Sequence, residues 1–333
     1  MLCFEITMGM VLQQISLEEM DSLRRRARDG LDWPQPFMLP GWLSAWWQVF
    51  GDAYQPLVLA GENHNGIVGV APLKLLGGEA SFMGDPSVCD YADFITRAGS
   101  ESEFITALLE NLGGRGVKSL ALGTLRPDSA ARRFLAAPAC GGSQSAECAV
   151  TDVSYEMTLP TDWETYLASL DGRQRRDVER KQRRLSSLAE AGFKMLRDAE
   201  VTPAELDLFM DMMSASRRDK AGFMTDKMRL FFEEIARAAA GYSILRLGFL
   251  EIGRQKVAGV LCFEYRGTLY LYNSGYLPEF AELSAGLFSK LYAIRYAISA
   301  GLKVFDFLKG EEPYKARLGG KAVGLYSCRI PPG

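Results

Sequence analysis

The chain has 333 residues, 48% of them hydrophobic and 24% charged, with a formal net charge of −3. That balance belongs to a globular protein, and the length favours two domains over one core. The charge gives no general attraction to nucleic acid or an anionic membrane, so any basic site has to be local.

No run of 18 apolar residues occurs, so no membrane span is expected. The opening "MLCFEITMGMVLQQ" lacks a basic region followed by a continuous apolar one, so no signal peptide is expected. Six cysteines (Cys3, Cys89, Cys140, Cys148, Cys262, Cys328) are scattered without a CxxC pair. This suits free thiols in a reducing compartment, and the cytoplasm is the expected location. The only histidine, His64, sits in "GENHNG", which reads as a hairpin turn with Asn65-Gly66 at its tip. A Ser-His-Asp triad and a HExxH metal site are therefore not expected, and no metal is assigned. Chemistry has to come from carboxylates, tyrosine, lysine, thiols or backbone dipoles.

In chain order, an amphipathic helix is expected over 17–29. "PFMLPGWLSAWWQVFG" (36–51) follows, with Trp42, Trp46, Trp47 and Phe50 at helical spacing, as core aromatics. "PLVLAGENHNGIVGVAPLKLLGG" reads as strand, turn, strand. Helix 101–112, strand 117–122 and helix 128–137 complete this half. "PACGGSQSAE" (138–147) reads as a linker, giving expected domains of 1–145 and 146–333.

The second half repeats the scheme. Thr161-Asp162-Trp163-Glu164 reads as a capping box that opens a helix to about residue 191. Within it, "GRQRRDVERKQRRL" (172–185) carries seven basic and two acidic residues. Arg173, Arg176, Arg180 and Arg184 share one helical face. Further helices are expected from Thr202-Pro203 and from Thr225. A three-strand meander spans 242–277, and its "KVAGVLCF" parallels "GIVGVAPL" of the first half, which suggests an internal duplication. Helix 284–302 is apolar on most faces, with Ser284 as N-cap and Gly301 as its stop, and strand 303–308 follows directly. Two strands, parallel or splayed, would thus flank one helix whose N-terminus at Ser284, Ala285 and Gly286 is open to an anion.

The strand then runs into charge, "FDFLKGEEPYKARLG" (305–319). The order of meander, helix opening at Ser-x-Gly and strand ending in this segment resembles the GNAT acyltransferase superfamily. "LPTDWETYLASLDGRQRRDVERKQRRL" and "PFMLPGWLSAWWQVFG" are similar to segments of its CelD-like branch, found in cellulose and exopolysaccharide biosynthesis; Fem-type aminoacyl transferases are a related branch. The resemblance implies an α/β fold made of two tandem GNAT-like folds, with mixed central sheets flanked by helices. The first domain would be a degenerate copy.

It also implies transfer of an acyl group to an amine, with acetyl-CoA or a longer acyl-CoA as donor bound near Ser284, Ala285 and Gly286. The superfamily's usual Arg/Gln-x-x-Gly-x-Gly/Ala loop is missing, because "ELSAGL" offers only Gly286. Asp306 or Glu311 would be the base and Tyr314 the acid. Arg173, Arg176, Arg180, Asn273, Tyr276, Lys309, Lys315 and Arg317 would contact substrate. The acceptor would be a small-molecule or glycan-precursor amine. Nucleic acid enters only as tRNA, in a Fem-type alternative. A non-catalytic partner protein is the third reading, and peripheral contact with a membrane stays open.

Overall fold

Both ends of the chain contribute to one folding unit. The computed structural model describes residues 9–26, 30–137, 146–187, 191–216 and 218–331. The chain divides into Met1–Asp152 with Gly324–Gly333 as one unit, and Val153–Val323 as the other. The stretch after Val323 therefore folds with the first half, beyond the sequential 1–145 and 146–333 division. Most of the expected linker, residues 138–145, lies outside the described residues.

The first unit contains β1 (Val11–Ile15), α1 (Leu17–Arg26), β2 (Leu31–Asp32) and α2 (Pro40–Phe50). Next come β3 (Gln55–Asn63), β4 (Gly66–Leu76), β5 (Glu79–Phe82) and β6 (Ile95–Arg97). Then follow α3 (Glu101–Gly114), β7 (Ser119–Leu125), α4 (Ala130–Ala136) and the start of β8 (Glu147–Thr158).

The second unit takes the end of β8, then α5 (Trp163–Ser169), α6 (Gly172–Ser186) and β9 (Ala191–Arg197). It continues with α7 (Pro203–Ser216), α8 (Arg218–Phe223), α9 (Asp226–Gly241), β10 (Leu245–Ile252), β11 (Gln255–Tyr265) and β12 (Thr268–Tyr276). It ends with α10 (Ala285–Ser299), β13 (Val304–Lys309) and α11 (Pro313–Arg317). Finally β14 (Lys321–Ile330) returns the chain to the first unit.

Each unit holds a mixed sheet. The first runs β1-β3-β4-β5-β7-β14-β8 and the second β8-β13-β12-β11-β10-β9. In each, an antiparallel hairpin precedes a strand, a helix and a strand that returns in parallel. The parallel pairing lasts three residue pairs in both cases: Glu79–Ser81 with Ser119–Ala121, and Thr268–Tyr270 with Val304–Asp306. Both returning strands carry a residue at positive φ near their ends, Thr124 (φ 54) and Leu308 (φ 61). The repeated glycine of "GIVGV" and "KVAGV" has a steric cause. A Cβ on Gly69 would meet Phe104 of α3 at 2.3 Å, and one on Gly259 would meet Phe209 of α7 at 2.9 Å. In each unit, the second strand of the hairpin leaves room for an aromatic ring from a covering helix.

Several expectations need correction. The helix drawn over 161–191 is two helices, α5 and α6, and β9 begins at Ala191. Asp162, not Thr161, caps the first by accepting from Thr165 N at 2.8 Å. Leu170 then turns extended, and Asp171 starts α6 by accepting from Arg173 N and Gln174 N at 2.8 and 2.9 Å. A second cap inside an otherwise helical run breaks it. The hairpin turn is His64-Asn65, with Gly66 (φ 91) already opening β4.

Ser284 does precede α10, but it sits in the left-handed region (φ 57) and its hydroxyl makes no cap bond. The free-thiol reading fails for two cysteines: Cys148 and Cys328 form a disulfide that joins β8 to β14 within the first unit. Cys89 and Cys262 are free and buried. Cys3 and Cys140 lie outside the described residues. Among the described residues, no helix is long and apolar enough to cross a membrane.

Candidate active site

The second unit's site begins where β12 and β13 stop pairing. Beyond Tyr270 and Asp306 the two strands share no further register, so residues 271–276 lose a strand neighbour on that side. Successive side chains of a strand face opposite ways. Accordingly Gly275 lies against α7, where a Cβ would meet the Met213 backbone N at 2.3 Å. Tyr276 faces α10, its ring filling the space a Cβ on Gly286 would need, 2.8 Å away. The small residue at Gly286 thus lets a protein ring pack against the helix start, and Ala285 is buried beside it.

α10 is held by an apolar face of Phe288, Leu291, Ala293, Ile294, Ala297 and Ile298, all buried. Burial of each large side chain stabilises by about 1.5–3 kcal/mol. Set into that face is Lys290, only 8% exposed. Its Nζ donates to Gly286 O at 2.7 Å and lies 4.9 Å from the centroid of the Tyr314 ring. Burial, reinforced by the like charge of Lys220, pushes the Lys290 pKa down to about 7, while Glu312 and Cys262 pull it the other way. Lys220 in turn donates to Asn273 Oδ1 at 2.8 Å. The Glu312 carboxyl is penalised by burial, but Lys315 and Lys220 outweigh that and hold it below the usual carboxylate range. A lysine that can be neutral near pH 7, a charged carboxylate and a phenol therefore interact beside the start of α10.

The charged segment after β13 divides into supports and exposed groups. Asp306 is 2% exposed, and its Oδ1 accepts from Leu308 N at 2.7 Å. This bond closes the bulge that breaks the register with β8 between Asp306 and Leu308. Lys315 is likewise 2% exposed. Its ammonium donates to Leu308 O at 3.0 Å and to Lys309 O at 2.5 Å, and pairs with Glu312 at 3.0 Å. Asp306 and Lys315 therefore hold the turn's backbone. Glu311 and Arg317 are exposed, while Tyr314, Lys309, Asn273 and Tyr276 are half-buried.

Arg173, Arg176, Arg180 and Arg317, expected to contact substrate, come together around one open basin of about 680 Å³. Arg184, on the same helical face, instead reaches Glu282 O at 3.4 Å, just before the start of α10. Sequence reasoning missed Lys290, Lys220 and Glu312. One signal was available: Lys290 is the lone charge on the buried stripe of "LFSKLYAI". Among the described residues, no cluster of side chains suited to a metal ion is present.

Comparison with known proteins fits this geometry. Residues 172–316 match the family described as acetyltransferase (GNAT) domain. No curated protein sequence matches the chain significantly. Among solved structures it is similar to FemX, at 13% identity over 96% of each chain with a TM-score of 0.63. It is also similar to a conserved protein of unknown function from Bacteroides thetaiotaomicron VPI-5482, at 11% identity over 97% of this chain and 99% of that one, TM-score 0.63. A tandem GNAT protein from the clavulanic acid biosynthesis pathway aligns at 10% identity over 98% and 99%, TM-score 0.55. Residues 172–316 of the second unit thus match a GNAT domain, and the fold of the chain is that of tandem GNAT-like proteins.

Proposed function

We propose that this protein is an N-acyltransferase whose transfer site is the gap between β12 and β13. The observation that carries the reading is the buried Lys290, bonded to Gly286 O where Tyr276 at the end of β12 packs, with the Tyr314 ring 4.9 Å from its Nζ. A structural lysine would be easier to accommodate at the surface, whereas a lysine titrating near neutrality suits proton transfer.

The donor supplies an activated acyl carbonyl, and acyl-CoA is the donor the fold suggests. The unpaired edge of β12 offers its backbone to the donor's acyl arm. Lys290, in its neutral form, accepts the proton released as an acceptor amine attacks the carbonyl. Tyr314, beside Lys290 Nζ, returns a proton to the leaving group. Asp306 and Lys315 keep the turn in shape, and Glu312 with Lys220 fixes the local charge. Glu311, exposed at the mouth, faces the acceptor side.

The acceptor we favour is an amine on a glycan precursor, in line with the CelD-like segments. A second reading takes the donor as an aminoacyl ester on tRNA. It is favoured by the missing glycine loop at the start of α10, where Tyr276 covers Gly286. Calorimetry with acetyl-CoA and longer acyl-CoA, followed by turnover with amino sugars, tests the first reading. Micromolar donor binding with turnover that collapses in Lys290→Met supports it. No binding to any acyl-CoA, with transfer from aminoacyl-tRNA, replaces it with the second.

A further inference from the structure

The basin on α6 is a second feature with the chemistry of a binding site. It is lined by Arg173, Arg176 and Arg180 of α6 and by Arg317 at the end of α11, with Asp171 and Asp177. The two acids are already committed. Asp171 caps α6, and Asp177 is paired with Lys181 at 2.8 Å and with Arg180. Those hydrogen bonds and charges, led by Lys181, keep the Asp177 carboxyl ionised below its ordinary range against a small cost of burial. No carboxylate among the described residues pairs with Arg173, Arg176 or Arg317. Three uncompensated guanidinium groups from two separate elements thus face one pocket, in a chain whose net charge is −3.

Exposed guanidinium groups gathered on one face repel one another, a repulsion that solvent and salt reduce and a phosphate ligand turns into attraction, and guanidinium groups match phosphate oxygens bidentately. We propose that this basin binds the diphosphate portion of a small-molecule substrate, supplying from arginine side chains the phosphate contacts that the glycine-poor start of α10 does not offer. The proposal rests on the acyltransferase reading for its place in the reaction, but its evidence is the basin itself. Two sources carry such a group: the phosphorylated end of an acyl-coenzyme donor and a nucleotide-diphosphate-linked acceptor. RNA is the less suitable occupant, because no aromatic side chain lines the basin to stack a base.

The test is binding by calorimetry, with the whole chain, of inorganic pyrophosphate, coenzyme A and UDP-N-acetylglucosamine. Pyrophosphate should bind and compete with one of the other two. Stronger competition with coenzyme A assigns the basin to the donor, and with the sugar nucleotide to the acceptor. Arg176→Ala and Arg317→Ala should each weaken binding about tenfold or more. Arg175→Ala, whose guanidinium already pairs with Glu179 at 2.8 Å, should leave it unchanged. Failure of all three probes to bind, or equal affinity in the Arg176 and Arg317 variants, would overturn the proposal. So would tight binding of a tRNA acceptor-stem hairpin that pyrophosphate does not displace. Diphosphate binding without acyl transfer would remove the enzymatic reading and leave the basin standing; transfer without diphosphate binding would do the reverse.

Discussion

The carboxylate of Asp306 accepts the backbone N–H of Leu308, two residues further along β13, at 2.7 Å. Leu308 is held at φ 61, a conformation costly for a residue with a Cβ. A buried carboxyl at strand centre is thus explained by the bend it stabilises.

Replacing that acceptor separates support from catalysis. Asp306→Ala should lose about 1–3 kcal/mol of stability, read by urea denaturation, because a buried N–H is left without its partner. Asp306→Asn retains an acceptor, so its turnover should stay within a few-fold of wild type. A collapse of kcat in Asp306→Asn with stability unchanged would make Asp306 the base instead.

Lys290 gives the pH dependence. Its folded pKa, about 7, lies below its ordinary value of 10.5. Between those two values the unfolded chain holds more protons than the folded one, so this group makes stability rise with pH across that window. Lys290→Met should be more stable than wild type at neutral pH and lose this rise, measured as Tm against pH. Turnover in the wild type should climb through about pH 7 and be lost in the variant. A Tm profile that the substitution leaves unchanged would show that Lys290 is not buried in solution.

Tyr314→Phe keeps the ring that packs edge-on against Phe307 with centroids 6.4 Å apart. It should lower kcat about 100-fold while donor affinity changes less than twofold, since only the proton donor is removed. An equal loss of affinity and rate would assign the hydroxyl to binding.

Reduction of Cys148–Cys328, separated by 180 residues in sequence, relaxes the unfolded chain. Dithiothreitol should lower stability by about 2–4 kcal/mol, and Cys148→Ser should match the reduced protein. An unchanged Tm on reduction would mean that the bond is absent in solution.

Much of this molecule could be read from residue spacing. The apolar run of "KVAGVLCF", parallel to "GIVGVAPL", marked β11, and the i, i+3, i+7 spacing of Arg173, Arg176 and Arg180 marked one face of α6, since both signals are local. Arg317 joining them depends on where the turn after β13 carries the chain. Lys290 went unnoticed because its helix was read as apolar on most faces and buried as a whole, and its burial is a property of the packed sheet. The break at Leu170 was hidden by strong helix formers on both sides, although Asp171-Gly172 held the cap. Asp306 was visible as an oddity, but a two-residue hydrogen bond to a left-handed leucine has no sequence signature. The disulfide was invisible because nothing in cysteine spacing brings residues 148 and 328 together.

The placement of β14 has a consequence for synthesis. The second unit is an insertion, entered along β8 and left along β14, and β14 pairs with β7 through Tyr326–Leu125 and Arg329–Ala121. During translation the first half emerges with β7 lacking that neighbour, and residues 153–323 must pass before it arrives. The later-made unit can therefore complete its own sheet while the earlier-made one still waits. A nascent chain stalled before β14 should yield a protease-resistant second unit and a first unit that is still cut.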